Sequence, residues 1–226
     1  MYSMSNQQWS LVAGVDEAGR GAVLGPLVVA GVLLDRAGLT ELGSVGVKDS
    51  KLLTPRRREA LAEEIERVAE AICVVEIRPV DIDQAVLHGH RLRRLNYIEM
   101  EAMARILAEL RPDVAYIDAC DVNTQRCAAT VSSFLQSSTD IVASHHADRD
   151  IPAVSAASII AKVRRDARIE ELGSIYGKMG SGYPSDKTTM LFLGKLLQDT
   201  GEPPWFVRKS WKTIARLKVG SQAPAF

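Results

Sequence analysis

Short apolar runs of strand type alternate along the chain with longer segments of helical period, and this order narrows the fold before any single residue is considered. Residues 11–15 and 25–34 read as strands separated by a glycine-rich turn, a hairpin-like opening. Thr54-Pro55 supplies an N-cap with proline at the first helical position, and the helix predicted over 56–71 carries its apolar face through Leu61, Ile65 and Val68. A strand follows at 72–77. A long helix over 92–110 keeps a 3.6-residue period through Leu95, Ile98, Met103, Ile106, Leu107 and Leu110, and Pro112 stops it. Strands at 114–118 and 140–143 then alternate with helices at 125–135 and 152–172. Helices at 187–198 and 210–219 complete the chain. This order predicts an α/β domain whose mixed sheet begins antiparallel and continues through parallel crossovers, flanked by helices, with a small helical C-terminal appendage.

Two of these strands end in acid. Val-Ala-Gly-Val leads into Asp16 and Glu17, and Val-Ala-Tyr-Ile leads into Asp118. A lone ionised carboxylate beside a buried strand costs several kcal/mol unless hydrogen bonds, an opposite charge or a metal offsets it. Adjacent strand residues point to opposite faces, so Asp16 and Glu17 converge only if the strand stops at Glu17. Asp148 is expected in the turn after the 140–143 strand, just before the helix opened by Pro152. Four carboxylates at one end of a sheet would suit magnesium or manganese, and hydrolysis of a phosphodiester with two such ions. From spacing alone a second reading stands equally: Asp148 favours a helix N-terminus and Glu17 is solvated.

Other motifs say less. The glycines at 19, 21 and 25 are one residue too widely spaced for a dinucleotide fingerprint, and a strand follows where a helix should. His145 and His146 stand beside Asp148, but neighbouring histidines point apart and read as a solvated turn. Cys73, Cys120 and Cys127 lack zinc-ligand spacing and read as small buried residues. The 28 basic and 28 acidic residues cancel, which excludes a protein coating nucleic acid with its whole surface but permits a local basic face. Cations cluster at Lys48, Lys51 and Arg56–Arg58, at Lys162, Arg164, Arg165 and Arg168, and at Arg208, Lys209, Lys212, Arg216 and Lys218 around Trp205 and Trp211. Each cluster fits a phosphate backbone or, equally, a basic helix face packed by aromatics. The longest apolar run, 22–34, is broken by Gly25, Pro26 and Gly31 and falls short of a bilayer span. With 46% hydrophobic residues and no signal-peptide pattern at the start, a soluble, monomeric, cytoplasmic protein without membrane contact is expected.

Taken together, Asp16-Glu17-Ala18-Gly19-Arg20-Gly21, the stretch from Val47 to Thr54, Tyr116-Ile117-Asp118-Ala119-Cys120-Asp121, Ala147-Asp148, the helix opening from Ser155 to Lys162, Gly180 to Asp186 and Val207 to Thr213 resemble the ribonuclease HII family, in its archaeal-type form. The resemblance implies a ribonuclease H-like catalytic domain over 1–179 and a helical substrate-binding region over 180–226. It implies that Asp16, Glu17, Asp118 and Asp148 are catalytic and hold two divalent ions, Mn2+ or Mg2+. It further implies that Gly19, Arg20, Gly21 and Tyr183 read the ribose 2′-hydroxyl, and that Lys48, Ser50, Lys209 and Lys212 contact the substrate. The chain departs from the family pattern at Ala22, Ser144, His146 and Ile151, and keeps all four acids.

The expected activity is therefore cleavage of the RNA strand of RNA–DNA hybrids, and of the phosphodiester on the 5′ side of a ribonucleotide embedded in duplex DNA. A non-catalytic RNA–DNA hybrid-binding module is the rival, since a fold alone does not fix function. Such a module would tolerate loss of the acids. A small-molecule phosphatase, the third possibility, would need a closed pocket.

Overall fold

The computed structural model describes residues 9–45, 54–88 and 94–220. Lys48, Lys51, Ser50 and the start of the 92–110 helix prediction lie outside them. Five strands form one mixed sheet in the order β3-β2-β1-β4-β5, with β1 Val12–Ala18, β2 Leu27–Leu34, β3 Ala71–Ile77, β4 Val114–Asp118 and β5 Asp140–Ser144. The helices are α1 Arg36–Val45, α2 Pro55–Val68, α3 Pro79–His88, α4 Leu95–Leu110, α5 Thr124–Ser133, α6 Ala147–Asp150, α7 Pro152–Tyr176, α8 Lys187–Thr200 and α9 Lys212–Gly220. No helix among the described residues is long and apolar enough to cross a membrane.

The chain forms two compact units. The first is built from residues 1–16, 30–75 and 100–160, and the second from 17–29, 76–99 and 161–226. In the first, β1 pairs in parallel with β4, and β4 in parallel with β5. The strands are apolar on both faces, as parallel strands covered by helices must be: Val12, Ala13, Val15, Val114, Ala115 and Ile117 are all buried. Glycine allows the closest approach here. A Cβ on Gly14 would fall 2.0 Å from the carbonyl carbon of Ala153, so the first turn of α7 lies directly on β1. Gly31 of β2 likewise makes room for Ile106 of α4.

In the second unit a separate core gathers Val23, Leu24, Ile169, Leu172, Leu193, Phe206 and Ile214. Leu24 bridges Val207 in antiparallel fashion, which ties the 19–26 loop to the C-terminal segment. All three cysteines are buried and none is in a disulfide.

Most predicted elements appear within a few residues of their expected bounds, and four differ. β1 runs one residue past Glu17, to Ala18. Asp148 lies not in a turn but inside the short helix α6. Helices α1 and α3 were not expected: Gly38, Thr40, Gly43 and Ser44 make α1 weak by local preference, whereas α3 opens with proline at its first position.

Candidate active site

Parallel pairing brings two aspartates to neighbouring positions. The β1–β4 ladder ends at Val15↔Ile117, and the next residues along the two strands are Asp16 and Asp118. Neighbouring strands lie about 4.8 Å apart. Asp16 is buried and Asp118 half-buried.

The β4–β5 register sets Asp118 opposite Ser144. From there a two-residue turn, with His146 left-handed at φ 59°, reverses the chain into α6. The amide of Ala147 donates to Asp118 Oδ1 at 3.3 Å, and Asp148 follows, buried at 4% exposure. Both histidines are exposed, and His145 Nε2 lies 3.2 Å from the carbonyl oxygen of Val122. The loop after β4 is braced separately. Asp121 pairs with Arg126, and Asn123 caps α5 by accepting from the Arg126 amide at 2.8 Å.

Glu17, the next residue of β1, is half-buried and begins the second unit. β1 continues to Ala18, so the strand does not stop at Glu17 as expected. Among the described residues no three His, Cys, Asp or Glu side chains form a ready-made metal cage. The donor set is nonetheless all-oxygen and anionic, as magnesium or manganese requires. Such ions are held by one or two carboxylates each, with water and substrate phosphate completing the shell. The residues present fit that kind of site and not an all-protein cage.

Within the second unit the structure brings Gly19, Arg20 and Gly21 together with Tyr183. Gly19 is left-handed at φ 89°, and a Cβ there would lie 2.9 Å from the Pro26 carbonyl oxygen. A Cβ on Gly21 would sit 4.0 Å from the Tyr183 ring. The amides of Val23 and Leu24 donate to the Gly182 carbonyl at 2.8 and 3.2 Å, which locks the glycine loop to the turn carrying Tyr183. Arg20 points its guanidinium at α4, with Nη2 2.6 Å from Asn96 Oδ1 and Nη1 3.4 Å from buried Glu99. The exposed loop residue near Tyr183 is Gly21, which offers only backbone groups.

Two arginines that the sequence grouped with surface cations are buried here. Arg165 stacks its guanidinium 4.5 Å from the centre of the Tyr183 ring and donates to the Ser181 carbonyl. Arg208 donates from Nε to the Gly25 carbonyl at 3.1 Å and from Nη1 to the Arg20 carbonyl at 2.9 Å, and lies 5.1 Å over Trp211. Burial, and then the like charge of Arg165, pull the Arg208 guanidinium down to about 10. Arg168 pairs with Glu76 and Glu171. Arg165 and Arg208 thus follow the packing reading of the basic clusters, while Arg168 is an exposed residue held in ion pairs. Lys209 and Lys212 are exposed, as phosphate contacts must be.

The Tyr183 turn is held by Asp186, whose carboxylate accepts the amides of Ser181 at 2.7 Å and Thr188 at 2.8 Å. Those bonds, the Ser181 amide first, lower its carboxyl to about 2. Because the folded value lies below the unfolded one of about 3.9, this stabilisation is complete above the unfolded value and lost as pH falls towards about 2. Hydrogen exchange should show protection of the Ser181 and Thr188 amides falling through that window. In Asp186→Asn the protection should be lower and independent of pH there. Flat protection in the parent chain would contradict the assignment.

The family model for Ribonuclease HII matches residues 13–214. Ribonuclease HII of Thermococcus onnurineus is 45% identical over 209 residues, covering 92% of this chain and 89% of that one. The crystal structure of ribonuclease H2 from Pyrococcus horikoshii superposes with a TM-score of 0.86 at 39% identity, over 95% of this chain and all of that one. The ribonuclease HII of Archaeoglobus fulgidus, solved as a complex with PCNA, gives a TM-score of 0.82, also at 39% identity, over 95% and 98% of the two chains. Fold and sequence thus define a nuclease of the ribonuclease H class, with its characteristic mixed sheet and flanking helices. The chain belongs to the ribonuclease HII family and is an enzyme.

Proposed function

We propose that this enzyme hydrolyses the RNA strand of RNA–DNA hybrids and cuts on the 5′ side of ribonucleotides embedded in duplex DNA, leaving 5′-phosphate and 3′-hydroxyl ends. The observation that carries this reading is the lock between the glycine loop at 19–21 and the turn bearing Tyr183. It presents close-approaching backbone beside an aromatic hydroxyl, the groups suited to recognising a ribose 2′-hydroxyl.

Asp16, Glu17, Asp118 and Asp148 would hold two divalent ions, Mg2+ or Mn2+. Such ions, when bound, supply an activated water and charge stabilisation at the leaving oxygen. The protein's own part is positioning. The Ala147 amide orients Asp118 through one oxygen. The Asp121–Arg126 pair and the Asn123 cap keep the following loop in place. Burial of Asp16 and Asp148 keeps both carboxylates at low dielectric, where their pull on a cation is stronger.

Residues 180–226 serve as the substrate-binding region, with exposed Lys209 and Lys212 on the duplex backbone. Neutralising both to Met should flatten the dependence of log affinity on log salt by about one unit per lost phosphate contact. An unchanged slope, measured by fluorescence anisotropy over a salt series, would return the two lysines to ordinary surface residues.

Labelled duplexes carrying one ribonucleotide, a hybrid tract or DNA alone test the activity. Cleavage of the first two, magnesium- or manganese-dependent and absent on DNA, is the expected result. Tight binding without cleavage in either metal would instead make the chain a hybrid-binding module.

A further inference from the structure

Within the second unit, one buried carboxylate of α3 has no place in the chemistry described so far. Asp83 is 9% exposed and spends both oxygens on the segment that carries Lys209. Its Oδ2 accepts the Lys209 amide at 2.9 Å. Its Oδ1 accepts the Ser210 amide at 2.9 Å and the Ser210 hydroxyl at 2.6 Å. Three donors from two consecutive residues thus converge on one acceptor-only group, a demand that an amide side chain cannot meet in full. The next residue back, Arg208, is anchored as tightly on another side. Its amide donates to the Val23 carbonyl at 2.9 Å, and its guanidinium holds the carbonyls of Arg20 and Gly25. Two neighbouring residues are therefore pinned to different elements, α3 on one side and the glycine loop on the other. Lys209 is left exposed between them.

We infer that Asp83 is a positioning residue for substrate binding: it fixes the backbone at Lys209 and Ser210 so that the Lys209 ammonium meets a duplex phosphate while the glycine loop meets the ribose. The inference rests on the proposed role of Lys209 as a phosphate contact. A carboxylate that served packing alone would be equally content with any backbone donors. Here the donors, the amides of Lys209 and Ser210, lie on either side of exposed Lys209, and the same stretch is tied to the loop beside Tyr183. Small displacements of a binding group weaken a site out of proportion to their size, because a contact depends on geometry held before the ligand arrives.

The test uses the full-length chain and a duplex with one embedded ribonucleotide. In Asp83→Asn the carbonyl can keep both Ser210 bonds, while the new NH2 group opposes the Lys209 amide, so the lesion falls on Lys209. The expected result is a KM raised about tenfold with kcat within about twofold, and a salt slope reduced by roughly one phosphate contact. Ser210→Ala removes the hydroxyl donor alone and should show the same pattern, two- to threefold in KM, on the order of one lost hydrogen bond; it carries the test should Asp83→Asn fail to fold. Lys209→Met should reproduce the Asp83→Asn slope, and the double variant should be no worse than Lys209→Met.

Additive effects in the double variant would overturn the inference. So would loss of kcat that follows loss of thermal stability while the salt slope stays put, which is the signature of packing. If Lys209→Met lowers the slope and Asp83→Asn does not, the inference fails and the role of Lys209 stands. If Lys209→Met changes neither slope nor KM, both fall together.

Discussion

Asp118→Asn should abolish cleavage, by at least ~10²-fold, while leaving the fold and duplex binding intact. The substitution keeps side-chain size, and the amide oxygen can still accept the Ala147 amide that now reaches Asp118 Oδ1 at 3.3 Å. What it removes is one negative charge from the end of β4, next to Asp16 on β1. Hard divalent cations are held by charge and oxygen donors, and a neutral amide supplies a weaker donor and no charge. The measurement is single-turnover cleavage of a duplex with one ribonucleotide, alongside anisotropy for binding and thermal unfolding for the fold. Activity within threefold of the parent would remove Asp118 from the proposed metal site. A fall in melting temperature equal to that of a core truncation would place its role in folding instead.

Tyr183→Ala should cut cleavage at a single embedded ribonucleotide far more than it lowers the melting temperature, with Tyr183→Phe intermediate if the hydroxyl takes part. The ring is half-buried, stacked on the guanidinium of Arg165 at 4.5 Å, and a Cβ on Gly21 would lie 4.0 Å from its edge. Stacking of this kind contributes up to ~2 kcal/mol, so some loss of stability is expected from the ring itself. The hydroxyl is different: removing it changes little in packing but takes away a group able to both donate and accept at a ribose 2′-hydroxyl. Comparing both variants on the embedded ribonucleotide and on a long hybrid separates the roles. Equal losses of rate and stability in Tyr183→Ala, with Tyr183→Phe like the parent, would make Tyr183 a packing residue.

The asymmetry between these two sites reflects what each depends on. The carboxylates were visible along the chain because an acid at the end of an apolar strand stands out against its neighbours, as Asp16 and Asp118 do. Tyr183 drew notice only through the family resemblance. Nothing local in Gly-Ser-Gly-Tyr-Pro says that its ring will stack on Arg165, eighteen positions earlier on α7.

What the sequence determined by itself was whatever repeats over a few residues. The alternation of strands and helices, the Thr54 cap with Pro55, and the strand β4 at Val114–Asp118 are set by side-chain period and local hydrogen bonding, and they stand where they were expected. Helix α1 escaped because its glycines, threonine and serine favour no helix locally, and α6 because four residues carry no period. The tertiary structure alone decided which charges are buried. Arg165, Arg208 and Asp83 read in sequence like the solvated cations and acids around them. Each is fixed by partners far along the chain, the Ser181, Gly25 and Arg20 carbonyls and the Lys209 and Ser210 amides. A buried charge is tolerated only where such partners converge on it, and convergence of distant backbone groups leaves no periodic trace in the residues themselves.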